Sequence, residues 1–454
     1  MNYRTIDPTT GKQIELHPFA SAGDAKAAIE AAASAFVGWS ETTLDERTVL
    51  LTRAADLLEQ QAGDMAGWMA LEMGKRVEEG EAEAKKCAWA CRYFAEHAAS
   101  FLEPETKESD GSQARLCFEP LGPILAIMPW NFPFWQFFRF AAPALIAGNV
   151  ILLKHAPNTP GCAVRIEKLL LDAGLPEGVV QNLFLTHEQA ADVLADSRVR
   201  GVTFTGSTRG GKQVAARAGE HLKTMVMELG GSDAFIVLDD ADLDRAVETG
   251  IVARCLNNGQ SCIAAKRFLV QNDVFDSFRE AFLEKMREQT MGDPRDPQVR
   301  LGPLARADLR DTLADQVGVS IQAGARALCG GSTSDREGFF YPATVLVDAP
   351  YESPAAREEL FGPVAALFRF QNDDEAIALA NDTEFGLGAS LWTADPERAE
   401  RLIPRIESGA VFVNGLVKSD PRLPFGGVKN SGFGRELGRE GMLEFVNRKT
   451  VWIA

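Results

Sequence analysis

The chain is poor in the residues that disulfide scaffolds, zinc modules and nucleic-acid-binding proteins depend on. Its seven cysteines, Cys87, Cys91, Cys117, Cys162, Cys255, Cys262 and Cys329, are odd in number and lack paired CxxC spacing. This argues against a disulfide framework or a zinc knuckle and for reduced thiols. None of the five histidines sits in a metal-ligand or catalytic partner motif. Positive charge is outweighed, 47 Lys and Arg against 64 Asp and Glu, and the net charge of −17 disfavours nucleic acid or an anionic membrane as the main partner. Residues 1–7 lack the apolar segment of a secretory signal, and neither end carries a lipidation pattern, so a cytoplasmic location is expected. The longest apolar run, residues 132–153, has a membrane-like length but contains Gln136, Arg139, Pro143, Gly148 and Asn149, and fits a buried helix followed by a strand better. Internal repeats and low-complexity tracts are missing, as are a GxGxxG turn and a Walker loop.

What remains is the composition of a globular protein, 46% hydrophobic and 24% charged over 454 residues, long enough for two or three domains. Alanine-rich helical periodicity fills residues 22–100. The polar stretch 103–113 breaks it and reads as a hairpin or crossing arm. Apolar strands are then predicted at residues 124–128, 149–154, 180–185, 201–205 and 234–238, separated by helical segments. Such alternation specifies an α/β architecture with mostly parallel sheets and ligands at the carboxyl ends of the strands. The acidic run at 239–244 reads as a helix cap rather than a metal cluster, and Cys87 and Cys91, four apart, as helix packing.

Several loops carry candidate chemistry. Cys262, in Gly259-Gln260-Ser261-Cys262, is either a small buried hydrophobe or a nucleophile. Upstream, Met227-Glu228-Leu229-Gly230-Gly231 offers a carboxylate able to activate water against an acyl adduct. Gly206 and Ser207, after the strand at 201–205, open a helix whose N-terminus suits a pyrophosphate, or form merely a turn and cap. Lys154, ending its strand, can reach a ribose hydroxyl or adenosine phosphate, or is an ordinary surface lysine. His155 reads as a hydrogen-bonded structural histidine. The amide of Asn131, in Pro129-Trp130-Asn131-Phe132-Pro133, can donate to an oxyanion or simply shape the turn. Trp135 and Arg139, four apart, project from one helix face toward a substrate. A buried arginine needs an anion, either a substrate carboxylate or an internal Asp or Glu.

With PWNFP at 129–133, FTGS at 204–207, MELGG at 227–231, GQSC at 259–262, EELFGPV at 358–364 and PFGG at 424–427, the sequence resembles the aldehyde dehydrogenase family over nearly its whole length. Within it, KHAPNTP at 154–160, ELGGSDAFIVL at 228–238 and SGFGRELGREG at 431–441 resemble the bacterial succinate-semialdehyde dehydrogenases. The resemblance implies Cys262 as nucleophile, Asn131 and the Cys262 amide as oxyanion site, Glu228 as base and Glu436 as a second carboxylate that helps relay protons. It implies NAD or NADP as cofactor, with Glu359 and Phe361 at the nicotinamide ribose and ring and Trp130, Lys154, Pro157, Gly206, Ser207 and Leu229 along the rest of the dinucleotide. Phe132, Trp135, Arg139, Ser419 and Phe425 would line the aldehyde tunnel, with Arg139 on a distal substrate carboxylate. No metal is implied.

The implied domains are a Rossmann-type cofactor domain (1–101 and 120–230), an α/β catalytic domain (231–430), and an arm and C-terminal segment (102–119 and 431–454) that associate copies into a homodimer or homotetramer. The implied reaction is oxidation of succinate semialdehyde to succinate; glutarate semialdehyde or a broader aldehyde range is the alternative. Two departures matter. Pro157 stands where many relatives carry a ribose-binding glutamate, so no carboxylate there repels a 2′-phosphate. Ala264 stands where some carry a second cysteine, which removes a local redox pair. Rival readings are a non-catalytic relative, against which Cys262, Glu228 and Asn131 together argue, and a cysteine acyltransferase or protease, which leaves the dinucleotide features unexplained.

Overall fold

The computed structural model describes residues 2–454. The alanine-rich opening forms four helices, Ala22–Glu41, Leu44–Gln60, Ala62–Met73 and Val77–Phe101. Capping boxes start the first two, Ser21 with Asp24 and Thr43 with Glu46, satisfying otherwise orphaned N–H groups. Cys87 and Cys91 lie buried on the core face of the fourth with Phe94 and Ala98, so they are packing residues.

These helices cover a six-stranded sheet ordered Gly432–Phe433, Thr224–Glu228, Gly201–Thr205, Pro123–Ile127, Val150–Lys154, Val180–Asn182. All neighbours are parallel except the first pair. Its central strands are buried on both faces, which is why they read as unbroken apolar runs. The strand order reverses about Pro123–Ile127, where loops diverge and leave a crevice at the carboxyl ends. The third predicted strand is shorter than expected, stopping at Asn182. Beyond it the backbone of Phe184 and Leu185 is satisfied by Ala20 N–H and the Tyr3 hydroxyl rather than by a neighbouring strand.

A seven-stranded sheet follows, ordered Arg326–Cys329, Thr344–Val347, Val364–Phe370, Ala265–Gln271, Asp233–Val237, Gly388–Trp392, Ala410–Val413, with only the first pair antiparallel. Separate apolar clusters cover its two faces. Asp242 caps the helix Leu243–Cys255, while Asp239 and Asp240 bind Arg398, so the acidic run is used for caps and ion pairs. The expected arm is a three-stranded sheet in which Gln113–Pro120 lies between Val446–Ile453 and Glu105–Thr106. The segment 431–454 does not go there whole, because Gly432–Phe433 extends the six-stranded sheet. Residues 135–146 form a buried helix and residues 150–154 a strand, and no helix among the described residues is long and apolar enough to cross a membrane.

Candidate active site

Cys262 sits on a loop between the helix Leu243–Cys255 and the strand Ala265–Gln271. The loop enters through three residues with positive φ, Asn257 (57°), Asn258 (58°) and Gly259 (76°). Asparagine and glycine tolerate this region at the least cost. At Gly259 the requirement is also steric, since a Cβ would lie 2.3 Å from the Gly362 carbonyl carbon. The Cys262 loop therefore packs directly on the segment bearing Glu359 and Phe361. Likewise a Cβ at Gly231 would meet the Cys262 carbonyl at 2.8 Å, which brings the MELGG and GQSC motifs into contact. Buried cations pin this loop. Arg254 donates to Gly259 O (2.6 Å) and Ala265 O (3.1 Å), and Lys266 Nζ to Ser261 O (3.0 Å) and Cys262 O (2.7 Å) while lying 3.6 Å from Glu359. Neither belongs to a recognisable short motif, and their roles emerge only from the fold.

Two clefts meet at Cys262. The first, about 350 Å³, is lined by Trp130, Asn131, Glu228, Leu229, Glu359 and Phe361, along with Gly206 and Ser207. Ser207 links it to a further groove of about 430 Å³ beside Lys154, Phe204 and Arg209. Together they form one path along the carboxyl ends of the six-stranded sheet. Ser207 caps the helix Thr208–Glu220 by accepting from Gly210 N–H, and Ser207, Arg209 and Gly210 at the start of that helix line the groove. Phe361 stands edge-on to Trp130, ring centres 5.6 Å apart. Glu359 accepts from Gly231 N–H at 3.1 Å. Burial pushes the Lys154 ammonium down to about 8. Pro157 does not line the groove; its carbonyl instead accepts from Arg4 N–H, tying down the N-terminal hairpin. His155 is structural, accepting from Ala156 N–H at Nδ1 and donating from Nε2 to Pro133 O (3.0 Å), and burial holds it neutral, at about 4.

The second cleft, about 190 Å³, lies on the other side of Cys262 and is lined by Phe132, Trp135, Arg139, Ser419 and Phe425. Gln136 reaches both clefts, and its buried Oε1 lacks a partner. The structure thus brings every expected tunnel residue together. Asn131 Nδ2 donates to Gln260 O (3.1 Å), and its backbone carbonyl is held by Lys75 Nζ (3.0 Å) and Asn257 Nδ2 (2.7 Å). Cys262 is close enough to apolar groups that desolvation pushes its thiol up to about 12, against the opposing pull of Arg139 and Lys266.

The expectation that Arg139 offers a free charge to substrate needs correcting. Its guanidinium pairs with Glu436 and lies 3.9 Å from Glu228, all three groups almost wholly buried. Of the two partners considered for a buried arginine, the internal carboxylate is the one observed. Glu436 lines neither cleft and also accepts from Thr203 (3.3 Å). Glu228 Oε1 has no hydrogen-bond partner, and burial first, with Glu436 adding to it, raises its carboxyl well above the ordinary range despite Arg139. Because removing one member of a buried ion pair strands the other, Arg139→Leu is expected to lower stability by about 3 kcal/mol in urea unfolding and to impair charged and neutral aldehydes alike.

A thiol and a buried carboxylate lining one cleft, at the end of a groove suited to a dinucleotide, have close parallels. The sequence matches the aldehyde dehydrogenase family over residues 1–451. It is 49% identical over 454 residues to a probable succinate-semialdehyde dehydrogenase (NADP+) of Synechocystis sp., covering 100% of both chains. It is 47% identical over 457 residues to succinate-semialdehyde dehydrogenase (NADP+) 1 of Mycobacterium tuberculosis, again covering 100% of both. The fold superposes on the crystal structure of succinic semialdehyde dehydrogenase from Streptococcus pyogenes in complex with NADP+ with a TM-score of 0.97, at 37% identity and over 99% of each chain. Full-length sequence similarity, a shared fold and the meeting of thiol, amide and carboxylate at one junction lead to the same conclusion: this chain belongs to the aldehyde dehydrogenase family.

Proposed function

We propose that the protein oxidises succinate semialdehyde to succinate with NADP+ as the preferred acceptor. The observation that carries this is the position of Cys262 at the meeting point of two clefts, one a dinucleotide-length groove and the other a short tunnel with polar and cationic groups on its wall. The relatives named for this substrate and cofactor support both choices. In the groove, Lys154, Arg209 and Arg217 face a single carboxylate, Glu188; Arg217 is paired with Glu220, and among the described residues no ion pair engages Arg209. An exposed cation beside the first turn of a helix favours a phosphate.

The chain's own residues account for the chemistry. Cys262 Sγ gives up its proton to solvent and bonds to the aldehyde carbon as the C=O π pair moves to oxygen, and the oxygen that gains charge is stabilised by Asn131 Nδ2 and the Cys262 N–H, a pair of donors worth about 3 kcal/mol in such a setting. A bound nicotinamide supplies the acceptor for the hydride that leaves this carbon, converting thiohemiacetal to thioester. Glu228 then takes a proton from water as its oxygen attacks the acyl carbon, the C–S bond breaks, and succinate leaves. Glu359 and Phe361 would hold the nicotinamide end, and Lys154, Gly206 and Ser207 the rest.

By this reading the six-stranded sheet is the cofactor domain, the seven-stranded sheet the catalytic domain, and the three-stranded sheet, with Trp452 and Ile453 exposed at its end, the surface through which copies associate in the cytoplasm. The test is a matrix of NAD+ and NADP+ against succinate semialdehyde, glutarate semialdehyde and butanal, followed at about 340 nm. The expected result is the highest kcat/KM for NADP+ with succinate semialdehyde. Equal kcat/KM for butanal refutes the substrate assignment, and a higher kcat/KM with NAD+ refutes the cofactor assignment.

A further inference from the structure

This inference rests on the reading of the reaction as oxidation through a thioester and concerns the water that ends it. Two residues line both clefts, Cys262 and Gln136. Gln136 sits in the first turn of the helix Trp135–Ile146, where its N–H donates to Phe132 O at 3.0 Å, and it is only 2% exposed. That helix is otherwise apolar except for Arg139, which Glu436 neutralises. Among the described residues nothing donates to Gln136 Oε1. A buried amide oxygen without a donor lowers stability, and an apolar side chain of the same length would fill the space without that cost. The fold therefore has no use for this oxygen, which leaves the contents of the cleft to engage it.

The donors around Gln136 turn to other acceptors. Lys86 Nζ and Trp135 Nε1 both reach Ser419 Oγ (2.8 and 3.0 Å), and Asn131 Nδ2 reaches Gln260 O (3.1 Å). Four further buried acceptors are open near Cys262. Glu79 Oε2 and Asn257 Oδ1 lie in the tunnel alone, and Asn131 Oδ1 and Glu228 Oε1 in the dinucleotide cleft alone. A molecule that bridges two such acceptors must bring two O–H groups, as water does. Water attacking an acyl group on Cys262 turns one O–H to Glu228, so its other O–H needs an acceptor that also borders the sulfur. Asn131 Oδ1 belongs to the amide that serves the oxyanion. Gln136, which borders the tunnel holding the acyl chain and the cleft holding the base, is left for the water.

We propose that Gln136 Oε1 seats the water that hydrolyses the thioester, accepting one of its O–H groups while Glu228 takes the other. The water oxygen bonds to the acyl carbon as the C=O π pair moves to oxygen. The proton facing Glu228 passes to that carboxylate, and the proton facing Gln136 stays on the new hydroxyl. When the C=O bond re-forms the C–S bond breaks, sulfur leaves as thiolate, the carboxylic acid departs, and Glu228 loses its proton to solvent. An amide suits the position because it orients the water without competing for its proton.

The test compares the wild type with Gln136→Met, mixed rapidly with succinate semialdehyde and saturating NADP+. Reduced cofactor reports formation of the thioester, and mass spectrometry of acid-quenched samples reports decay of the acyl adduct on Cys262. The variant is expected to give its burst at the wild-type rate, while the adduct decays about 30-fold more slowly. Its melting temperature is expected to match or exceed that of the wild type, since only an unpartnered acceptor has been removed. A wild type that forms no acyl adduct overturns the thioester reading and this assignment with it. Where the wild type forms the adduct, three results overturn the Gln136 assignment alone: decay at the wild-type rate in the variant, a burst slowed as much as the decay, or a lower melting temperature, which gives Gln136 to the fold.

Discussion

Cys262→Ala is expected to abolish aldehyde oxidation, with kcat lowered at least about 10⁴-fold, because no other group in the tunnel can form the covalent adduct. Ser261 is the nearest substitute and lines the same cleft, but its hydroxyl has no hydrogen bond to a base that would activate it. Cys87, Cys91, Cys162 and Cys255 are buried elsewhere. The loss should appear in the first turnover as well as in the steady state, since the hydride donor is the thiohemiacetal carbon and the variant cannot make one. Rapid mixing with cofactor and aldehyde checks this, and thermal stabilisation by NADP+ separates lost chemistry from a lost fold. A single-turnover signal of normal amplitude would sink the nucleophile assignment.

The wild-type thiol presents a complementary problem. Pushed up to about 12 by burial, Cys262 is protonated at neutral pH, so attack requires its proton to leave. Lys266 donates to the backbone carbonyls of Ser261 and Cys262.

The parts of this site that were legible in the sequence are those fixed by local chain geometry. The strand at 201–205 followed by Gly206 and Ser207 announces a capped helix start, and the structure shows that cap. The paired asparagines and glycine before Gln260 adopt the positive φ their residue types allow. What could not be read locally was which charges meet. Arg139 and Glu436 are nearly three hundred positions apart and come together only because residues 432–433 return to the edge of the six-stranded sheet, opposite Glu228 and Met227. Lys86 lies outside every short motif, in an alanine-rich helix. Its setting became visible only when the loop carrying Ser419 was laid across that helix. The arm behaved similarly: its polar break was evident, but its partner strand, Val446–Ile453, lies at the other end of the chain.

Glu228→Gln is expected to separate the two halves of the reaction. Thiol attack and hydride transfer do not require a base for water, so mixing with succinate semialdehyde and NADP+ should give a burst approaching one equivalent of reduced cofactor per active site. The following steady rate should be about 10²- to 10⁴-fold slower than the wild type, because the amide cannot accept the proton of the attacking water. The shape is preserved and only the charge is lost, which makes this substitution cleaner than removal of the side chain. The same group sets a pH dependence. Its carboxyl is raised by burial and by Glu436, so lowering the pH through that elevated value protonates it and stalls hydrolysis, while raising the pH restores the base. Thioester hydrolysis in the wild type should therefore increase with pH across a range displaced upward from that of an ordinary glutamate, and the amide variant should lack that limb. Pre-steady-state traces at several pH values decide the matter: a variant with neither burst nor pH limb places Glu228 in the acylation half, whereas a burst of wild-type size followed by a flat, slow phase assigns it to the water.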